Sequence, residues 1–305
     1  MLKVSMRRHL QHVSYSEKRG NPVAEGTPFR SVVPDDAMPS AGADASRFDT
    51  SVAHPARIYD YWLGGKDNYA ADREAGDLVL ASRPGLRESV QANRAFLGRV
   101  VRLLAGELGI RQFLDVGTGI PSANNTHEVA QSVAPDARIV YTDNDPIVLA
   151  HARALLTSSE PGVTAYLDMD ARDTDKLLDR AAETLDFSQP IAIMLLGILH
   201  LISDEEDPWA IVARLVSAVP SGSYLVITHP ASDLLPETQH EASRRYNQNV
   251  ATHQTLRNYA EVARFFDGLE LLEPGLVQWH LWRPEPGDAA PDDFKSGHCG
   301  VARKP

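Results

Sequence analysis

Between residues 110 and 283 the apolar positions follow two alternating rhythms. Short apolar runs recur, and between them apolar residues return at three- and four-residue spacing. The first rhythm suits buried strands and the second suits one face of a helix. Strands are predicted at Gln112–Val116, Ala137–Thr142, Val163–Leu167, Ile191–Leu196 and Tyr224–Thr228. Ile191–Leu196 is apolar at every position, as a parallel strand covered on both faces should be. Helices are predicted after Asn124, from Pro146 to near Thr157, over Asp173–Ala182, Pro208–Ala218 and Tyr259–Phe266, and somewhere within 231–257. Asn125 and Glu128 have the spacing of a capping box. Asp145–Pro146 places an N-cap acid before a proline at the first helical position. Leu269–Leu272 and Val277–Trp282 read as two closing strands joined by a turn at Pro274–Gly275. Strand–helix repetition of this kind predicts an α/β fold with ligands at the carboxyl ends of the strands.

The flanks lack this rhythm. Residues 1–50 are rich in Gly, Pro, Ser, Ala and charge and predict a disordered tail, with Met38 as an alternative start. Residues 285–305 read as a second tail, which leaves 51–284 as the organised domain. The first twenty residues are basic but lack the apolar core of a signal peptide. The longest apolar stretch, Pro190 to Ile202, is too short to span a bilayer. One cysteine, Cys299, can form neither an internal disulfide nor a cysteine metal cluster, which points to the cytoplasm. His229, His240 and His253 are scattered without metal-ligand spacing, so no metal is expected. The net charge of -11 argues against non-specific nucleic-acid binding.

The segment FLDVGTGIP, 113–121, ends the first strand in an acid and then in Gly117 and Gly119. A nicotinamide loop needs a third glycine where this chain has Ser122, and a phosphate loop needs a lysine that is absent. Asp115 would repel a pyrophosphate but suits a ligand with a cationic amino group. Asp143 closes the second strand, where it can accept from both ribose hydroxyls. Asp170, with Asp168 as its competitor, follows the third strand, where it can accept from an adenine amine while Ala171 N–H serves a ring nitrogen. An amino-acid end, a ribose and an adenine in that order describe S-adenosylmethionine.

The series FLDVGTGIP, YTDNDP, DMDARD, LLGILHLISDEEDP and VPSGSYLVITH resembles the class I S-adenosylmethionine-dependent methyltransferases over residues 110–283. The turn PSGS departs from that family's pattern by keeping only Gly222 of two glycines. HPARIYDYWLGGKDNYAADREAG (54–76), NRAFLGR (93–99) and FFDGLELLEPGLVQWHLWRP (265–284) resemble an actinobacterial methyltransferase family first catalogued as a domain of unknown function, the DUF574 type. The resemblance implies a Rossmann-like, seven-stranded, mostly parallel sheet whose last-added strand is antiparallel, with helices on both faces and an N-terminal helical lid.

It also implies a cofactor site built from Asp115, Gly117, Thr118, Gly119, Asp143, Asn144, Asp170, Ala171 and Gly197. Lys66 or Arg94 can meet the methionyl carboxylate, and Tyr61 or Tyr69 can line the methyl-transfer site. The same aromatic segment can equally be a packed helix stopped by Gly64–Gly65, and its aromatics can pack on a second subunit to form a homodimer. His200, after the fourth strand, is a candidate general base or a satisfied structural histidine. LGILH stands where enzymes acting on nucleobase amines resemble [ND]PP[YFW], so a small-molecule acceptor is expected rather than nucleic acid. The alternative is a non-catalytic cofactor-binding or regulatory protein of the same fold.

Overall fold

A computed structural model describes residues 49–155, 161–286 and 294–305. All but the end of the expected N-terminal tail lies outside the described residues, as does the expected helix end near Thr157. Five parallel strands form the body: β1 Gln112–Val116, β2 Arg138–Asp143, β3 Val163–Asp168, β4 Ala192–Leu196 and β5 Tyr224–His229. The sheet order is β3-β2-β1-β4-β5-β8-β6, where β6 is Glu270–Leu271 and β8 is His298–Arg303. The strand β7, Val277–Gln278, also pairs with β8. Successive connections leave β1 in opposite directions, toward β2 and toward β4. That divergence opens a crevice at the carboxyl ends of these strands.

Two expectations are corrected here. Residues 298–303 are not a tail: β8 is inserted between β5 and β6 and runs antiparallel to both, which makes eight strands rather than seven. Its sequence, HCGVAR, is short and flanked by polar residues, so no local signal marks it. Burial by its neighbours decides it. At Gly300 a Cβ would lie 2.7 Å from the Phe266 ring, so a glycine lets Phe266 pack directly on the strand. Second, the segments around Leu271 and Val277 do not form a hairpin. Each shrinks to two residues, and both pair with β8 instead of with one another.

Helices α4 Thr126–Val133, α5 Pro146–Leu155, α6 Thr174–Ala181, α7 Pro208–Ala218 and α9 Tyr259–Ala263 match the expected spans closely. Before β1 stand α1 Pro55–Leu63, α2 Ala70–Ser82 and α3 Leu86–Arg102, and after β5 comes α8 Pro236–Asn249. Side chains alternate across β1. Leu114 faces a core with Leu177 of α6, Leu215 of α7 and Val262 of α9, whereas Phe113 faces Phe96 of α3 and Val129 of α4.

A third, smaller core joins α1, α2, α3 and α8 through Ile58, Val79, Val90 and Tyr246. This is the lid. The unusual glycines of 54–76 serve its packing. A Cβ on Gly65 would collide with the Asp60 carboxylate, which accepts from Asp67 N (3.0 Å) and Asn68 Nδ2 (2.8 Å) and so folds the GGKDN turn back onto α1. A Cβ on Gly76 would lie 2.8 Å from the Tyr61 ring. Tyr61 donates to Asp77 (2.6 Å) and Trp62 Nε1 donates to the Gly76 carbonyl (3.2 Å). These two aromatics of α1 are therefore engaged within the chain.

Candidate cofactor and acceptor site

One cavity occupies the crevice between the carboxyl ends of β1 and β4 and the lid. It is lined by Asp115, Gly117, Thr118, Gly119, Asp143, Asn144, Asp170, Ala171, Gly197, Arg94 and His200. Two residues of the expected cofactor set do not line it. Tyr61 is held by Asp77 with the Arg87 guanidinium over its ring, and Lys66 sits exposed in the turn that Asp60 folds. Tyr69, at the N-cap of α2, is also exposed, and Asp168 lies outside the lining where Asp170 is part of it.

The floor is made by the first strand–helix turn. Gly117 and Gly119 both adopt left-handed backbone, with φ of 71° and 69°. At Gly117 a Cβ would also lie 2.6 Å from the Ile198 side chain, so this glycine is required by the turn itself. At Gly119 a Cβ would meet nothing within 4 Å, and the loop there opens onto free space. Asp115 is buried, with one carboxylate oxygen accepting from Thr126 Oγ1 at 2.6 Å. Burial pushes its carboxyl up to about 6.

Asp143 does more than the strand-end reading implied. One oxygen accepts from Gly119 N (2.9 Å) and the other from Asp145 N (2.9 Å), so it fixes the glycine turn and the start of α5 together. Its neighbour Asp145 caps α5 by accepting from Ile147 N, and its second oxygen lies 2.8 Å from His54 Nδ1 of the lid. Burial raises the Asp143 carboxyl above the usual carboxylate range despite these donors.

Asp170 differs from expectation in its surroundings. Its carboxylate accepts from Arg172 N, Nε and Nη2 and from Asn144 Nδ2, at 2.7 to 2.9 Å. The Arg172 contacts hold it down to about 2. Arg172 also reaches Glu206 (2.7 Å), bridging the loops after β3 and β4. An adenine amine approaching this carboxylate therefore meets a group whose acceptor positions are already engaged.

His200 lines the cavity within a 3₁₀ turn, Leu199–Leu201. Burial, assisted by the Arg257 charge, pushes its imidazole down to about 3. It is neutral at physiological pH and a weak base. It is not a satisfied structural histidine either, because Nδ1 is buried without a partner. Its turn is held by a residue that carries no motif. The buried Arg257 donates to the carbonyls of Leu199 (2.8 Å) and Ile202 (2.9 Å), to Asp204 (2.7 Å) and to His229 Nε2 (3.0 Å). A guanidinium only donates, so His229 carries its proton on Nδ1, which donates to the Pro230 carbonyl at 2.8 Å.

An acid at the end of β1, an open glycine turn fixed by the acid at the end of β2, and a lid over both describe a nucleoside site with a cationic end. The sequence pattern of the S-adenosyl methyltransferases matches residues 41–305. The chain belongs to this family. Its cofactor is S-adenosylmethionine. Among solved structures, a DUF574 family protein from Streptomyces avermitilis is 46% identical with a TM-score of 0.82, covering 84% of this chain and 99% of that one. A putative methyltransferase from Thermobifida fusca is 42% identical with a TM-score of 0.78, covering 87% and 99%. No curated protein matches.

Further parts of the wall come from residues not singled out as ligand contacts in the sequence: His54, Tyr59 and Trp62 of the first lid segment, Asn93 of α3, and Tyr246, Thr252 and Gln254 after β5. Segment 231–257, read in the sequence as containing a helix, thus reaches the cavity through Tyr246, Thr252 and Gln254. Asn93 opens the stretch NRAFLGR and Tyr59 is one of four clustered aromatics, and no local signal marks either as a cavity residue. Among the described residues no helix is long and apolar enough to cross a membrane, and no group of three or more His, Cys, Asp or Glu is placed to hold a metal ion.

Proposed function

We propose that the chain transfers a methyl group from S-adenosylmethionine to a small molecule enclosed beneath the lid, acting in the cytoplasm. The observation that carries this is the division of the cavity. Acids line its sheet side at Asp115, Asp143 and Asp170, faced from the lid side by Arg94 and His54, whereas the rest of the lid side at Trp62, Tyr246, Thr252 and Gln254 is uncharged. A lobe lined in this way accommodates a compact acceptor, and two arginines among three acids make no basic groove for a polyanion.

When bound, the cofactor supplies a methyl group activated by its sulfonium. Asp115 would pair with its ammonium group, Asp143 would accept from the ribose, and Ala171 N–H with the Asp170 loop would border the adenine. Arg94, whose Nη2 donates to the Ala123 and Asn124 carbonyls (3.0 and 3.1 Å), would hold the methionyl carboxylate. His200 orients the acceptor as a neutral imidazole. An imidazole held near 3 is too weak a base to deprotonate an alcohol or phenol, so alignment supplies the rate.

Two measurements test this. Calorimetry should show S-adenosylhomocysteine binding to the full chain, and no heat at millimolar ligand would sink the cofactor assignment. The affinity should also rise with pH. Asp115 titrates near 6 and must be ionised to pair with an ammonium, so binding should strengthen about tenfold from about pH 5 to about pH 7.5. A flat profile would remove Asp115 from the ammonium contact. Second, label from the methyl group should pass into the small-molecule fraction of a cell extract. Label in nucleic acid or protein would overturn the acceptor class, and no label at all would favour a non-catalytic binder.

A further inference from the structure

We propose that Asn93 and Tyr59 complete the subsite for the cofactor's amino-acid end, with the Asn93 carbonyl oxygen accepting from the α-ammonium group. This rests on the assignment above of that end to Asp115. Asn93 is 7% exposed and lines the cavity together with Tyr59, Arg94 and Asp115. Its Nδ2 donates to Tyr59 Oη at 3.0 Å. Its Oδ1 is buried and has no partner. A buried acceptor left unmet destabilises the fold, so such an atom at a cavity wall points to a donor that arrives with the ligand. Tyr59 Oη accepts from the amide, so its own O–H remains to donate. Burial raises that phenol further, so it stays protonated.

The four groups then fall into two pairs. Tyr59 O–H and the Arg94 guanidinium are donors, whereas Asn93 Oδ1 and Asp115 are acceptors. A carboxylate can use only the first pair and an ammonium only the second. Their charges act on one another: Arg94 lowers both the Tyr59 phenol and the Asp115 carboxyl. The wall is therefore complementary to a zwitterion. Both donors and one of the acceptors come from α1 and α3, and only Asp115 comes from the sheet, which ties the lid helices to the amino-acid end of the cofactor and not to its nucleoside.

Calorimetry with three ligands tests this on the full chain: S-adenosylhomocysteine, its analogue lacking the α-amino group, and methylthioadenosine, which lacks the whole amino-acid end. Asn93→Leu should weaken S-adenosylhomocysteine about tenfold or more, as loss of a hydrogen bond to a charged group does, and leave the deaminated analogue and methylthioadenosine within about twofold. Tyr59→Phe should weaken both carboxylate-bearing ligands and spare methylthioadenosine. An Asn93→Leu variant that binds S-adenosylhomocysteine as wild type does, or that loses all three ligands together, overturns the proposal. Wild-type protein that binds none of the three would instead overturn the cofactor site on which it rests.

Discussion

Asp143→Ala should lower the affinity for S-adenosylhomocysteine by about 100-fold or more while the free protein stays folded. Two losses combine. The ribose loses a charged acceptor, and each hydrogen bond to a charged group contributes about 1.5–3 kcal/mol. The glycine turn also loses its anchor, because the same carboxylate holds Gly119 N and Asp145 N. Stability responds differently. Asp143 is buried beside Asp115 and Asp145, and its raised carboxyl shows that burial and like charge outweigh its two backbone donors. Removing it discards an unfavourable charge together with two favourable bonds, so the melting temperature should move by only a few degrees. The check is a melting curve and a titration on the same sample. A variant that binds normally excludes Asp143 from the site, and one that unfolds makes its role structural.

Arg257→Met should have the largest effect on stability, a loss of about 3–5 kcal/mol, seen as a melting temperature lower by roughly 10 °C or more. The partner carboxylate matters less than its charge suggests, because the Asp204 side chain is 55% exposed and can return to water. The cost lies in the buried acceptors. The Ile202 carbonyl and His229 Nε2 would lose their donor, the Leu199 carbonyl would keep only Ile202 N at 3.3 Å, and Met would fill the space over Trp209 and Phe265 without replacing the guanidinium. Arg257→Lys should recover only part of the loss, since one ammonium does not reproduce the fork. A melting temperature within about 2 °C of wild type would show that the turn is held without Arg257. The turn in question carries His200, whose carbonyl is also tied to Thr255 N at 2.7 Å. Residues 255–257 thus brace one wall of the cavity from the end of a polar stretch in which the sequence marks no contact.

The five parallel strands and the helices after them were legible because each is specified locally. An apolar run, a capping box at Asn125–Glu128 (Asn125 N donates to Glu128 at 2.7 Å) and a cap at Asp145 stand where they act. The acids at the ends of β1 and β2 were legible for the same reason, since strand-end position alone brings Asp115 and Asp143 to the crevice. Asp170 was legible in place but not in condition. Its engagement by Arg172, two residues on, depends on how that guanidinium folds back. Tyr61 and Lys66 fall outside the cavity lining, in a segment where aromatic, apolar and polar residues are interleaved. Only the rotation of α1 against α2 turns Tyr59 toward the cavity and Tyr61 toward Asp77.

The sequence by itself determined the α/β body, the glycine turn and the acids that close its strands, because backbone propensity and strand-end geometry act over a few residues. The tertiary structure decided β8, the lid contacts and the Arg257 brace. Each joins positions far apart in the chain, Phe266 to Gly300, Tyr59 to Asn93, Arg257 to Leu199. A polar residue that is spent on such a contact looks, in the sequence, like any solvated one. Its role appears only when burial removes water as the alternative partner and leaves the protein, or a ligand, to supply the missing hydrogen bond.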